Sequence, residues 1–139
     1  MKVFLYFAGK PRDRRLNAVA EDFMGRCARY TRVEMREMNP ERFDPRARHP
    51  AALRILLDSA GRAMSSAEFV RMIEQAEMQG RDVVFVVGGA EGLPENWKLS
   101  GDLLLSLSPM TFPHELARAM LTEQIYRALA TLRGHPYPR

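Results

Sequence analysis

The amino-acid sequence predicts an α/β fold in which a largely parallel sheet is flanked by helices, and two observations support this prediction. Two short apolar segments, Val83–Val87 and residues 103–107, lack polar alternation, as is typical of strands buried on both faces of a parallel sheet. Segments with helical periodicity alternate with predicted strands along the chain. Ligands of such sheets bind where strands end, so the turns after these two strands are the first candidates for a site.

The size and composition of the chain are those of one globular domain. Its 139 residues are enough to bury one core, and 46% of them are hydrophobic and 27% charged. We therefore predict a single domain over residues 1–139. The apolar runs are too short to cross a bilayer, and charged residues follow the first strand too soon for a signal peptide. We expect a cytoplasmic protein with no membrane partner.

Charge and cysteine content narrow the classes of partner. The net charge of +4 and the pI near 9.6 suit a polyanion such as RNA, although charge alone does not identify one. Cys27 has no second cysteine to pair with, and its core-like position in a predicted helix favours a structural role over a reactive thiol. The three histidines are scattered along the chain, so no metal site is predicted.

The first third of the chain predicts a strand, a helix and an edge strand. Residues 3–8 are apolar, and apolar residues then recur at helical spacing over residues 14–29. Residues 31–38 alternate between apolar and charged side chains, which indicates a strand with one solvated face near the sheet edge. Residues 39–50 contain three prolines and several charges and are predicted to form a loop.

The middle of the chain predicts another strand and helix before the strand Val83–Val87. Residues 53–57 are apolar and short, and residues 58–61 have the composition of a turn. Ser65 begins a capping-box pattern that predicts a helix over residues 66–79, which Gly80 ends.

The remaining elements are a short helical turn and one long helix. Residues 93–98 form the short turn, in which Trp97 is assigned to packing. The long helix begins with Pro113 near its first position and runs to about Arg133, before Gly134.

Three glycines in residues 88–92 follow the strand Val83–Val87. Bare backbone there could lie against a ligand, but glycines also simply permit a tight turn, and for a Gly-Gly pair alone that second explanation is favoured. The stretch matches neither the dinucleotide pattern nor the Walker pattern, so no phosphate loop is implied. No Ser-His-Asp or Cys-His set occurs at a recognisable spacing, so an enzyme nucleophile has no support.

Residues 107–112 combine apolar side chains with Pro109, Met110 and two hydroxyls. This composition suits a pocket for an adenine or thioether ligand, and it suits a core loop equally well. On the last helix Glu123 and Arg127 form an i,i+4 pair, which is either a solvated ion pair or part of a site where arginines meet phosphate or a nucleobase. Spacing alone leaves both alternatives open.

Taken together, four motifs resemble the ribosomal RNA large subunit methyltransferase H family of the SPOUT superfamily. They occur in the family's order at residues 85–93, 105–114, 123–128 and 135–137. Similarity extends to residues 57–61, to Ser65 and Ser66 and to the first strand, so it covers most of the chain. The resemblance implies a SPOUT-type parallel sheet with a C-terminal deep trefoil knot, in a homodimer.

The resemblance also implies a cofactor and a reaction. The cofactor is S-adenosylmethionine, and the reaction is methylation of N3 of a pseudouridine in the 23S rRNA of assembled ribosomes, which needs no metal. Matching positions give the cofactor contacts Leu57, Gly88, Leu107, Ser108, Pro109, Met110, Thr111 and Phe112. The positions implied around the target base or RNA backbone are His114, Arg118, Glu123, Arg127, Tyr137 and Arg139.

Two departures from the family keep other functions open. Family members usually have a further helix where this chain has residues 39–52, and their tail usually has a histidine after the position of Tyr137. The first alternative is a knotted RNA- or ribosome-binding protein without catalysis, and the second is a SPOUT methyltransferase that acts on another RNA.

Overall fold

The computed structural model describes residues 1–100 and 102–137, and within them strands alternate with helices. The strands are β1 (Lys2–Ala8), β2 (Arg32–Met38), β3 (Leu53–Ala63), β4 (Val83–Val87) and β5 (Leu103–Ser106). The helices are α1 (Arg14–Cys27), α2 (Pro45–Arg48), α3 (Ser66–Met78), α4 (Glu95–Lys98) and α5 (His114–Leu132).

The strands form a single sheet in the order β2-β1-β4-β3-β5, and every neighbouring pair is parallel. The predicted α/β class with a parallel sheet is confirmed. All five residues of β4 are buried, as its unbroken apolar sequence predicts. The alternating strand β2 lies at the sheet edge, also as predicted. The carboxyl ends of β3, β4 and β5 lie side by side, and this arrangement positions the site.

Each face of the sheet has its own core. Helices α1, α3 and α5 cover one face, where Leu5 and Phe85 of the sheet pack with Leu121 of α5. Shorter segments cover the other face, where Val86 packs near Trp97, so the packing role predicted for this tryptophan is confirmed.

The structural role predicted for Cys27 is confirmed as well. Its side chain is buried in the core on the inner side of α1, and burial raises the pKa of the thiol to about 12.

Two findings bear on membrane and metal binding. None of the described helices is long and apolar enough to cross a membrane. In the same residues no group of three or more His, Cys, Asp or Glu side chains could hold a metal ion.

Strand β3 continues through residues 58–61, so the turn predicted there was wrong. The Asp58 carboxylate accepts a hydrogen bond from the Ala60 backbone N–H at 2.8 Å, and the pairing register with β5 shifts between Leu57 and Arg62. Gly61 permits the close approach, because a Cβ there would lie 2.7 Å from the carbonyl carbon of Leu104. The turn-like composition therefore marks an irregularity within a strand rather than a chain reversal.

Other element boundaries differ by little from the prediction. The predicted loop 39–50 contains the short helix α2, which the Asp44 carboxylate caps by accepting from the Arg46 backbone N–H at 2.9 Å. Strand β5 ends one residue earlier than predicted, and α5 begins just after Pro113. Gly80 and Gly134 follow α3 and α5 with left-handed φ angles of 66° and 71°, as predicted.

The capping box of α3 is confirmed and predicts a measurable contribution to stability. Ser65 Oγ accepts from the Glu68 backbone N–H at 3.1 Å, and the Glu68 carboxylate accepts from the Ser65 backbone N–H at 3.2 Å. We expect Ser65→Ala to lower the free energy of unfolding by about 1 kcal/mol, as measured by chemical denaturation. Ser65→Asp keeps an N-cap acceptor and should stay near the wild-type value. An equal loss in both variants would contradict the capping role.

Candidate functional site

The candidate site lies where β3, β4 and β5 end. A cavity of about 600 Å³ opens there between the glycine turn 88–92, residues 107–113 and the start of α5. We call it the strand-end pocket. Seven of the eight predicted cofactor contacts line it, namely Leu57, Gly88, Leu107, Ser108, Met110, Thr111 and Phe112. Pro109 belongs to the same segment but is not part of the lining. Cofactor contact by these residues stays a prediction, but the fold brings them together.

The glycine turn is tight, and it also forms one wall of the strand-end pocket. Gly89 accepts a hydrogen bond from the Gly92 backbone N–H at 3.0 Å, and Gly92 has a φ of 75°. A Cβ on Gly88 would lie 2.8 Å from the carbonyl carbon of Gly92. The turn explanation is therefore confirmed for these glycines. Ligand contact is compatible with it, because backbone at the turn borders the cavity.

Residues 107–112 are not a core loop. Met110 is 73% exposed. The strand before it, β5, lies at the sheet edge and is buried only in its second half, so the burial on both faces predicted for residues 103–107 was wrong. Local hydrogen bonds shape the segment, since Ser106 Oγ donates to the Ser108 carbonyl at 2.9 Å and Ser108 Oγ accepts from the Met110 backbone N–H at 3.0 Å. A partly apolar segment held open in this way offers both apolar surface and backbone polar groups to a ligand.

An ion pair that sequence reasoning missed lies at the wall of the strand-end pocket. Lys98 Nζ lies 3.0 Å from the Asp58 carboxylate and 3.2 Å from that of Glu95. The hydrogen bond from the Ala60 backbone N–H, and then Lys98, lower the pKa of Asp58. Hydrogen bonds to Asp58 and Glu95 raise the pKa of Lys98. The only sequence signal was the position of Asp58 directly after an apolar strand.

The polar residues predicted from the resemblance lie in three places. His114 is at the strand-end pocket, Arg118 is buried, and a second group surrounds Glu123. His114 lines the strand-end pocket. Arg118, one turn further on, is 3% exposed and packs against α1 and β1 instead. Its guanidinium lies 3.8 Å from the centroid of the Phe7 ring and donates to Asn17 Oδ1. Burial lowers the pKa of Arg118, and its role in catalysis stays a prediction.

Glu115 joins the same junction between α1 and α5. Its carboxylate accepts from the backbone N–H groups of Arg12 and Asp13 at 2.6 and 2.9 Å. It also accepts from Asn17 Nδ2 at 3.1 Å. These bonds fix the first turn of α5, and with it His114, against the start of α1.

The second group comprises Glu123, Arg127 and Tyr137. Arg127 Nη2 and Tyr137 Oη lie 2.6 and 2.7 Å from Glu123 Oε2. Burial, and then the Glu123 carboxylate, raise the pKa of Tyr137 to about 12. The Glu123 and Arg127 side chains are 20% and 29% exposed, so this pair is half-buried rather than fully solvated.

His114 and the group around Glu123 are separate, but the cavities that they line adjoin. Glu123 lines a cavity of about 400 Å³ that shares Leu107 and Phe112 with the strand-end pocket. His114 and Glu123 are nine positions apart, which is about 13 Å along α5. Arg139, the remaining predicted residue, lies outside the described residues.

The fold is shared with solved structures of other proteins. It superposes on a probable methylase family protein from Haemophilus influenzae Rd KW20 with a TM-score of 0.66, covering 99% of this chain and 70% of that one at 10% identity. A putative methylase family protein from Neisseria gonorrhoeae gives a TM-score of 0.57 at 12% identity, covering 91% of this chain and 81% of that one. At such low identity these similarities show the fold alone.

Sequence comparison then gives the family. The family model described as "Predicted SPOUT methyltransferase" matches residues 1–138. The ribosomal RNA large subunit methyltransferase H of Solibacter usitatus (strain Ellin6076) is 60% identical over 139 residues, covering all of both chains. The protein of the same name from Sorangium cellulosum (strain So ce56) is 38% identical over 144 residues, covering 99% of each. This chain belongs to the SPOUT methyltransferase family and is a methyltransferase, so the resemblance described above is confirmed.

Proposed function

We propose that this methyltransferase transfers the methyl group of S-adenosylmethionine to N3 of a pseudouridine in the large-subunit rRNA of assembled ribosomes. The strand-end pocket is the observation that carries the proposal. Its volume of about 600 Å³ falls within the range of roughly 300–1,000 Å³ typical of small-molecule sites. The names of the relatives support an rRNA substrate. As the resemblance implies, we also propose a cytoplasmic homodimer with a C-terminal knot.

The residues of the strand-end pocket fit the chemistry of this cofactor. Backbone polar groups of residues 107–112 and of the glycine turn can hydrogen-bond an adenine, while Leu57 and Phe112 offer apolar contact. Glu91 also lines the pocket, and its carboxylate suits the positive charges of this cofactor, whereas the Asp58 carboxylate is already paired with Lys98. When bound, S-adenosylmethionine supplies an electrophilic methyl group on its sulfonium.

The protein must align the acceptor nitrogen with that methyl group and help the nitrogen lose its proton. His114 lines the strand-end pocket, and its imidazole is proposed to accept the proton. Glu123, Arg127 and Tyr137 are proposed to hold the target base or the RNA backbone. The Tyr137 hydroxyl is protonated near pH 7 and donates to the Glu123 carboxylate, which leaves its oxygen as an acceptor for the substrate.

Arg118 and Arg139 complete the proposed set. Arg118 is proposed to act from the junction of α1 and α5, where it holds the first turn that carries His114. Arg139 is proposed to contact the substrate on the basis of the resemblance alone.

The direct test is methyl transfer from labelled S-adenosylmethionine to intact ribosomes, free rRNA and bulk tRNA. The modified nucleoside is then identified by mass spectrometry. Label on N3 of a pseudouridine in intact ribosomes is the expected result. Label on tRNA, or on another rRNA nucleoside, would assign the protein to a different RNA substrate. No label on any RNA would contradict the proposal.

The proposed role of the second polar group predicts a loss of turnover. We expect Arg127→Ala to lower kcat by about a hundredfold, because the Glu123 and Tyr137 side chains lose the cation that orders them. Tyr137→Phe should also lower kcat. Arg133→Ala is the matched control, because it breaks an arginine–carboxylate pair, 2.5 Å from Glu77, that lines neither cavity. Unchanged turnover in both test variants would remove these residues from the site.

A further inference from the structure

A second cleft of about 600 Å³ lies over β1 and β2 and shares no residue with the strand-end pocket. It faces away from α1, α3 and α5, on the side of the sheet that only short segments cover. We call it the β1–β2 cleft. The functions assigned to α5 and to the strand-end pocket make no use of it.

The floor of the β1–β2 cleft is aromatic. Phe4 and Tyr6 point to the same face of β1, with rings parallel within 2° and centroids 6.2 Å apart. Phe43 and His49 flank them from the segment that carries α2, at 4.6 Å from Tyr6 and 4.5 Å from Phe4 respectively. The rings of Phe4, Phe43 and His49 are partly exposed. The Phe43 and His49 rings are tilted by 43° and 39° against Tyr6 and Phe4, so the floor is a shallow aromatic groove in which individual ring faces are available for stacking.

A hydrogen bond holds this aromatic floor in place. Tyr6 Oη and His49 Nε2 are 2.7 Å apart. Burial lowers the pKa of His49, which favours the neutral imidazole in this hydrogen bond. The β1–β2 cleft thus has a preformed wall between a strand and the segment after β2.

The rim of the β1–β2 cleft carries both signs of charge, but part of the negative charge is already engaged. Glu34 pairs with Arg36 at 2.9 Å, and Asp82 accepts from the backbone N–H of Lys2 at 2.9 Å. Glu37 is the third carboxylate of the lining.

Three cations of the rim are available to a ligand. Lys2, Arg32 and Arg48 are exposed and line the cleft. Among residues 1–100 and 102–137, no carboxylate lies within 4.0 Å of any of their charged groups. A stacking surface bordered by such cations is complementary to a base and its phosphate.

We propose that the β1–β2 cleft binds an unpaired nucleotide of the RNA substrate. The base stacks on an exposed ring face among Phe4, Phe43 and His49. The phosphate contacts the cations of the rim, Lys2, Arg32 and Arg48. Aromatic stacking combined with arginine contacts to the backbone is how proteins commonly bind single-stranded RNA. This inference rests on the proposed function for its RNA substrate. It adds an anchoring site that is separate from the site of methyl transfer.

The test uses direct binding and kinetics with Phe4→Leu and Arg48→Gln. The binding probe is a fluorescein-labelled single-stranded RNA hexanucleotide of mixed sequence, followed by anisotropy. We expect Phe4→Leu to weaken binding about tenfold. Arg48→Gln should also weaken it and reduce the slope of log K against log salt by about one counterion. On ribosomes both variants should raise KM and leave kcat and the affinity for S-adenosylmethionine unchanged.

The control is Arg46→Gln, which removes the same charge from the same short helix, outside the lining of the cleft. Equal weakening by Arg46→Gln and Arg48→Gln would overturn the proposal, because net charge alone would explain it. Weaker ribosome binding with unchanged hexanucleotide binding would also overturn it, in favour of a ribosomal protein as the occupant. Leucine keeps the apolar packing of residue 4, and Arg48 is exposed, so at least one variant remains folded for measurement.

The hexanucleotide assay also separates this proposal from the proposed function. If the wild-type protein methylates no RNA while hexanucleotide binding still depends on Phe4 and Arg48, nucleotide binding in the cleft is supported and the proposed methylation is refuted. If Phe4→Leu and Arg48→Gln both methylate ribosomes with the wild-type KM, the proposed methylation is supported and nucleotide binding in the cleft is refuted.

Discussion

Replacing Gly61 with alanine is expected to lower the free energy of unfolding by about 3 kcal/mol, at the upper end of overpacking costs. The added Cβ would lie 2.7 Å from both the carbonyl carbon and the oxygen of Leu104, and 2.9 Å from the Leu105 nitrogen. All three are main-chain atoms of β5, so no side-chain rotation can relieve the contact. Strand β5 must move, and the segment that lines the strand-end pocket moves with it. Chemical denaturation and calorimetry with S-adenosylmethionine measure the two effects.

The chain provides a matched control for Gly61→Ala. Gly25 lies in α1, and a Cβ there would meet nothing within 4 Å. Gly25→Ala should therefore raise the free energy of unfolding by roughly 0.5–1 kcal/mol, because alanine favours the helix. If Gly61→Ala proves as stable as Gly25→Ala, the close approach of β3 and β5 is not a constraint on the fold.

Truncating Arg118 to alanine should also cost about 3 kcal/mol. The buried side chain fills the space between α1, α5 and β1, stacks on Phe7 and donates to Asn17. Removing the side chain leaves a cavity and takes away a hydrogen-bond donor to the side-chain oxygen of Asn17, Oδ1. Thermal and chemical denaturation measure the loss. Arg26→Ala is the control, because Arg26 also lies over two aromatic rings, at 5.4 and 5.8 Å, but is 47% exposed.

Arg118→Met separates packing from chemistry at this position. Methionine fills most of the same volume without a buried charge, so about 2 kcal/mol of the loss should be recovered. A stable methionine variant with much lower turnover would support the catalytic assignment of the guanidinium. Full turnover would show that Arg118 acts by packing alone. If the alanine variant were as stable as the wild type, the structural role would itself be refuted.

Features that depend on local sequence were predictable. The capping box of α3 and the alternation of β2 involve residues close together in the chain, and both occur as expected. The strand-end pocket was also predictable, because the carboxyl ends of neighbouring parallel strands lie at one edge of a sheet. Seven of the eight cofactor contacts predicted from the resemblance line it for this reason.

Features that depend on distant partners could not be predicted. The continuation of β3 past Asp58 requires β5 alongside it, so composition suggested a turn instead. The burial of Arg118 depends on Asn17, which is 101 positions away in the sequence. The pairing of Asp58 with Lys98 and the bond between Tyr6 and His49 are likewise tertiary contacts without a local signal.

The junction of α1 and α5 has a consequence for biosynthesis. Glu115 binds the backbone of Arg12 across 103 positions, so the partner of the first helix emerges from the ribosome after all the other described elements. Until α5 emerges, the apolar face of α1 around Met24 and Cys27 has no helix to pack against. A nascent chain stopped before α5 should therefore be an aggregation-prone client of chaperones rather than a smaller folded protein. Folding of this chain is therefore coupled to the synthesis of α5.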